Sequence, residues 1–268
     1  MLELRDPIKE YEHGSALGRG QGRYDAYQPW LPIRAVKSCA VRSRIFSRKF
    51  GRILHFMSNA EVLTFFQLEW NDDVIEIREQ YPLHPIVTNQ IASELHILPA
   101  GYSRGGIVMT TDFLVTYRRP EGGTSLRAYQ VKATQKDADH PRTNAKLVIE
   151  QYYWKRQSVP STVVIAELYN RTYCTNLRTF FPERNSHYSS ADLSFLSKQM
   201  LRLVVAEPNR PVSKFTAALG AMPDSGLCIN GIAALKVLVG HKIWKFPLID
   251  QQLFLNSRLG DFEVGYVC

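Results

Sequence analysis

The sequence predicts an α/β protein in two parts: a domain built on a mixed sheet over residues 1–170, and a smaller, mainly helical domain over residues 171–268. Three observations carry this prediction. From residue 58 to residue 169 the apolar pattern switches between helical and strand periods, in the order helix, strand, strand, strand, helix, strand. Beyond Asn170 the strand pattern gives way to short amphipathic stretches. The chain has 268 residues, 45% of them hydrophobic, which is enough for one large or two modest domains with cores of their own.

Taken in order, residues 1–33 carry Gly14, Gly18, Gly20 and Gly22 among Tyr, Arg and Pro, and read as an arm with little regular structure. Asn59–Trp70 reads as a helix, because Ser58 and Glu61 have capping-box spacing and Val62, Phe65, Phe66 and Glu69 follow at helical intervals. Val74–Leu83 alternates as a strand, and residues 84–105 read as a loop. Ile107–Tyr117 and Leu126–Thr134 are strands joined across the turn Pro120–Gly123. Asp137–Thr143 is a polar turn, Asn144–Gln157 a helix, and Ser161–Tyr169 a buried strand. In the second part, Ala191–Val205 behind Ser190, Lys214–Met222 behind Ser213, and Leu227–Val239 read as helices. Phe246–Tyr266 reads as a hairpin turning at Asn256–Gly260. Three helices and a hairpin suggest a winged-helix-like module.

Composition narrows the chemistry. Cys39, Cys174, Cys228 and Cys268 form no C-x-x-C pair and the seven histidines show no zinc-ligand spacing, so neither a zinc knuckle nor a disulfide framework is indicated. No apolar run approaches a membrane span, and the charged start Met-Leu-Glu-Leu-Arg-Asp-Pro lacks a signal-peptide core. A cytoplasmic protein without a membrane partner is expected. The net charge of +8 is uneven: +6 over residues 1–60, −2 over 61–170 and +4 over 171–268. Arg34, Lys37, Arg42, Arg44, Arg48, Lys49 and Arg52 follow one another without an intervening acid. Such a run fits a polyanion, whose counterions are released on binding, or a solvated basic surface.

The chemistry-bearing residues lie on the central strands. Gln130 and Lys132 project to one face of their strand, and Asp112 on the antiparallel neighbour can face them. Phosphodiester hydrolysis needs oxygen ligands for a divalent cation, a nucleophilic water and a cation near the phosphate. Asp112 offers a carboxylate, Gln130 a neutral oxygen and Lys132 the cation, and Glu61 can complete an acidic cluster. Each has a plainer reading. Glu61 serves equally as a helix cap, Asp112 and Lys132 as a structural ion pair, and Gln130 as a polar residue on a solvated face. Glu150 is either a supporting acid or a surface partner of Lys146.

Glu61, Asp112 and Gln130-Val131-Lys132, on that order of elements, resemble the PD-(D/E)xK restriction-endonuclease-like nucleases. Gln130 in place of the second acid, the basic segment Ser43–Gly51 and a helical C-terminal domain are similar to the TnsA-type endonuclease subunits of heteromeric transposases. Thr111 stands before Asp112 where the general nuclease motif has Pro. The resemblance implies a restriction-endonuclease-like N-terminal domain with a basic arm over residues 1–57, and a Mg²⁺-dependent enzyme for which Mn²⁺ substitutes. It implies Glu61, Asp112 and Gln130 as metal ligands, Lys132 as the residue assisting the attacking water, and Arg42, Arg44, Arg48, Lys49 and Arg52 on DNA. Expected partners are the double-stranded transposon ends, a TnsB-like DDE transposase and a TnsC-like AAA+ ATPase, in a bacterial, nucleoid-associated setting. The enzyme would cut the 5′ ends of the element. A non-catalytic assembly subunit and a stand-alone restriction or repair nuclease of the same fold are the alternatives.

Overall fold

The computed structural model describes residues 6–31 and 42–265, so Arg34, Lys37, Cys39 and Cys268 lie outside the described residues. The chain divides into two compact units, Met1–Leu168 and Tyr169–Cys268.

The first unit is organised around four strands: β3 (Val74–Pro82), β4 (Thr110–Arg118), β5 (Thr124–Lys132) and β6 (Ser161–Ile165), paired in that order. The first two pairings are antiparallel and β5–β6 is parallel. A separate antiparallel pair, β1 (Ser43–Ser47) and β2 (Arg52–Phe56), precedes them. Parallel strands need a crossover. Here it is made by a short helix α4 (Gln135–Asp139) and by α5 (Pro141–Arg156), which bring Ile149, Tyr153 and Trp154 onto Leu114 and Ala128 of the sheet. Phe113, adjacent to Leu114, instead packs against Phe56 of β2, which in turn meets Phe65 of helix α2 (Asn59–Trp70). Successive residues of β4 thus serve two apolar clusters, as strand geometry dictates.

The helix over Asn59–Trp70 and the central hairpin form as the sequence predicts. Three other segments differ. The glycine-rich arm contains α1 (Pro7–Ala16), started by Asp6, whose carboxylate accepts from Ile8 N at 3.0 Å and Lys9 N at 3.3 Å, and by Pro7 in the first turn. The segment read as a loop after β3 begins with α3 (Pro85–Glu94), which sends Ile91 and Ala92 into the core. The polar turn before α5 is α4, closed by a capping box between Thr134 and Asp137.

The second unit holds α6 (Arg171–Arg184), α7 (Ser190–Ala206) and α8 (Gly231–Gly240). α6 is not expected from the sequence, because it contains Pro182 and is rich in Arg and Thr. The helix expected over 214–222 is irregular apart from one 3-10 turn at Val212–Lys214. The expected hairpin over 246–266 is not formed among the described residues: its end at Tyr266 lies outside them, and the segment's two bridges, Arg258 to Pro211 and Glu263 to Lys245, both run to residues before it. Three helices are present, but no strand pair forms a wing among the described residues of this unit.

Candidate active site

The open end of the β4–β5 hairpin carries the site. Past the last paired residues, Phe113 and Tyr129, the strands separate enough for the Asp112 side chain to turn inward. Its Oδ2 accepts the Val131 amide N–H at 2.6 Å and lies 3.8 Å from Lys132 Nζ. Lys132 Nζ also donates to Val131 O at 2.9 Å. Asp112, Lys132 and Glu150 line an open cleft of about 510 Å³, along with Lys136, His140 and Lys146.

Glu61 enters from the first turn of α2. The Ser58 hydroxyl donates to its Oε1 at 3.0 Å and Met57 N–H to Oε2 at 2.9 Å, while Glu61 N–H donates back to Ser58 Oγ at 3.2 Å. The helix-cap reading therefore holds. The same carboxyl also lies in the field of Asp112 and Lys132, so cap and cluster coincide. Burial first, then repulsion from Asp112, push Glu61 up to about 8.

Glu150 is buried on the sheet side of α5 and is not a surface partner of Lys146. It accepts from Thr111 Oγ1 at 2.6 Å, and that hydroxyl accepts from Trp154 Nε1 at 2.7 Å. Burial, reinforced by Asp112, also raises Glu150 to about 8. The Asp112 carboxyl is raised as well, by burial, against the opposing pull of Lys132 and the Val131 amide.

Gln130 does not sit on a solvated face. It is 2% exposed and lies beside Glu150, yet neither polar atom of its amide closes a well-formed hydrogen bond. The raised carboxyls of Glu61, Asp112 and Glu150 mark a place short of positive charge, and the buried Gln130 amide lies beside it. The oxygen donors of Asp112, Gln130, Glu61 and Glu150 match a hard divalent cation in kind. Among the described residues no three His, Cys, Asp or Glu side chains stand together at metal-ligand spacing, so water would have to complete such a shell.

The basic candidates separate. Arg44 is exposed on β1. Arg52 is not a surface cation: its guanidinium is 7% exposed, pairs with Glu79 at 2.9 and 2.5 Å, and donates to Ile77 O at 2.6 Å. Lys49 donates to Glu69 O at 2.9 Å and Asn71 O at 2.5 Å, satisfying carbonyls at the end of α2. Arg42 and Arg48 flank β1, and each has a contact of its own.

Sequence reasoning missed Thr111, Trp154 and Gln80. Gln80 Nε2 donates to Glu61 Oε2 at 3.2 Å. The departure from Pro at position 111 was visible, but not that its hydroxyl anchors Glu150. Lys136, His140 and Lys146 carry no signal in the sequence, because they lie on segments that read as a turn and a surface helix face.

Residues 71–165 match the family described as TnsA-like endonuclease N terminal. The chain is also 36% identical over 180 residues to the transposon Tn7 transposition protein TnsA of Escherichia coli, a match spanning 67% of this chain and 65% of that protein. Asp112, Gln130, Lys132 and Glu150 fall inside the matched domain and Glu61 ten residues before it. The chain thus carries a TnsA-like endonuclease N-terminal domain over residues 71–165, and it spans less than two thirds of the Tn7 protein it matches.

Proposed function

We propose that the protein is a divalent-cation-dependent DNA endonuclease subunit that cuts at the 5′ ends of a transposon. The observation that carries this reading is the convergence of Asp112, Lys132 and Glu150 on one open cleft, with Glu61 in the same electrostatic field. Its kinship with a transposition protein supports DNA as the substrate, with a DDE transposase and an AAA+ ATPase as partners.

Asp112 and Gln130 would hold the cation, with Glu61 and Glu150 adding negative charge. Mg²⁺ or Mn²⁺ there would polarise the phosphoryl oxygens and lower the pKa of a water. Asp112 Oδ2 is committed to Val131 N–H, which fixes the carboxylate and leaves Oδ1 without a protein partner among the described residues. Lys132, held by Val131 O and 24% exposed, presents its ammonium to the cleft, where it orients the attacking water and neutralises charge developing on the phosphorane. Thr111 and Trp154 hold Glu150 to the sheet, so the acid cannot swing into solvent. Lys136 and Lys146 give the cleft a cationic wall suited to phosphates, with the His140 ring beside them. The C-terminal unit is assigned to DNA or partner contact.

The test is strand-specific cleavage of labelled transposon-end DNA with Mg²⁺, in the presence of the transposase and ATPase partners, comparing wild type with Asp112→Ala. Loss of the 5′ cut alone in the variant supports the proposal. Equal 5′ cutting by both proteins would favour the second reading, in which the Asp112–Lys132 contact is structural and the chain is an assembly subunit.

A further inference from the structure

We propose that Gln80 is a positioning residue for the candidate acid Glu61, and that the N-terminal segment locks it in place. The proposal rests on the nuclease reading and adds a residue to it. Gln80 lies within β3 but has φ +50°, a left-handed conformation that side chains other than those of Gly, Asn and Asp seldom adopt. Such outliers persist where the surrounding structure over-determines them, and they gather at functional sites. The neighbours of Gln80 pair regularly, Glu79 with Phe113 and Tyr81 with Thr111. The irregular residue therefore sits in the gap opposite Asp112.

The twist has two results. It directs the Gln80 side chain, 2% exposed, toward the site, where Nε2 donates to Glu61 Oε2 at 3.2 Å and Oε1 accepts from Thr110 Oγ1 at 3.4 Å. It also turns the Gln80 carbonyl out of the ladder to accept Trp30 N–H at 3.3 Å. Trp30 is 2% exposed, stacks on Tyr11 with centroids 5.5 Å apart, and lies against Gly14, where an added Cβ would come within 2.3 Å of the indole. Helix α1 thus closes on Trp30, Trp30 holds the strained carbonyl, and the amide beyond it orients Glu61. Ser58 and Met57 bond the same carboxyl from the cap before its own helix, and Gln80 is the bond that ties it to the sheet bearing Asp112.

The experiment measures DNA affinity and single-turnover cleavage rate separately, in the complete assembly with Mg²⁺, for Gln80→Met, Gln80→Gly and Asp112→Ala. Gln80→Met keeps the length and the strain but loses the donor. Gln80→Gly loses the donor and adopts φ +50° freely. Both should cut about tenfold or more slowly than wild type with affinity within about twofold, as expected for a misplaced catalytic group. Wild-type rates in either folded variant, while Asp112→Ala is inactive, would overturn the role of Gln80. Parallel loss of affinity and rate would also overturn it, showing a structural residue. Wild-type cutting by Asp112→Ala would mean that the nuclease reading itself has failed.

Discussion

Replacing Arg52 by Ala tests whether the basic segment is a DNA grip throughout or is partly a buried strut. Arg52 and Glu79 are 7% and 0% exposed, and three of the guanidinium's bonds, two to the carboxylate and one to Ile77 O, disappear together. Glu79 would keep the His55 N–H at 3.0 Å but no cation. Removing one partner of a buried pair costs roughly 3–5 kcal/mol, because the remaining charge is stranded. For a unit of this size each kcal/mol lowers the melting temperature by roughly 2–4 °C, so a fall on the order of 10 °C is expected. Replacing both residues by apolar ones of similar volume, Arg52→Met with Glu79→Leu, should recover most of it. The assays are thermal unfolding and the salt dependence of DNA binding at a temperature where both proteins are folded. A phosphate contact contributes about 0.9 to the slope of log K against log salt. An Arg52→Ala protein of unchanged stability with a shallower slope would refute the strut.

Without divalent cations, folded Glu61 keeps its proton up to about pH 8, whereas unfolded Glu61 loses it near 4.5. The folded state therefore binds more protons between those values, and stability should fall as pH rises through that window. Urea unfolding in chelator at pH 5.5 and 8 should show this, and Glu61→Gln should reduce the dependence to the share left by Glu150, which is raised in the same way. Adding Mg²⁺ or Mn²⁺ at about 100 times its Kd should raise stability by about 2.7 kcal/mol in wild type and by far less in Asp112→Ala; identical shifts would place the cation elsewhere. Lys49→Ala should cost about 1–3 kcal/mol in denaturant titrations, since Glu69 O and Asn71 O both lose the ammonium, although Asn71 O keeps the Val74 N–H at 3.2 Å. Gly231→Ala would drive a Cβ to 1.9 Å from the Phe215 ring, so the C-terminal unit should lose at least about 1–3 kcal/mol while the N-terminal unit melts unchanged.

The central strands were legible because Val74–Pro82 and the hairpin on either side of Gly122 carry an apolar pattern and turn residues that agree. Asp112, Gln130 and Lys132 were legible because strand geometry alone aligns them. α1 and α3 were not, since glycine spacing and polar content outweighed the Asp6-Pro7 and His84-Pro85 starts. The fate of Arg52 was hidden for a different reason. Nothing local in the sequence reveals that Glu79, 27 residues away, comes to meet it in the interior. Gln80 was hidden because a left-handed residue inside a strand is decided by tertiary contacts from Trp30 and Glu61, and no propensity reports it.

The hairpin that carries Asp112 at one end turns at the other through Gly122 and Gly123, both with positive φ and with no neighbouring atoms within 4 Å of an added Cβ. Glu121 is exposed there, six strand residues beyond the Asp112 end, or roughly 20 Å at the usual rise. That tip is a natural attachment point. A fluorophore on a cysteine placed at position 121 would ride rigidly on the strand bearing the site while leaving the cleft open, so energy transfer to labelled DNA would report where the duplex ends lie as the complex assembles.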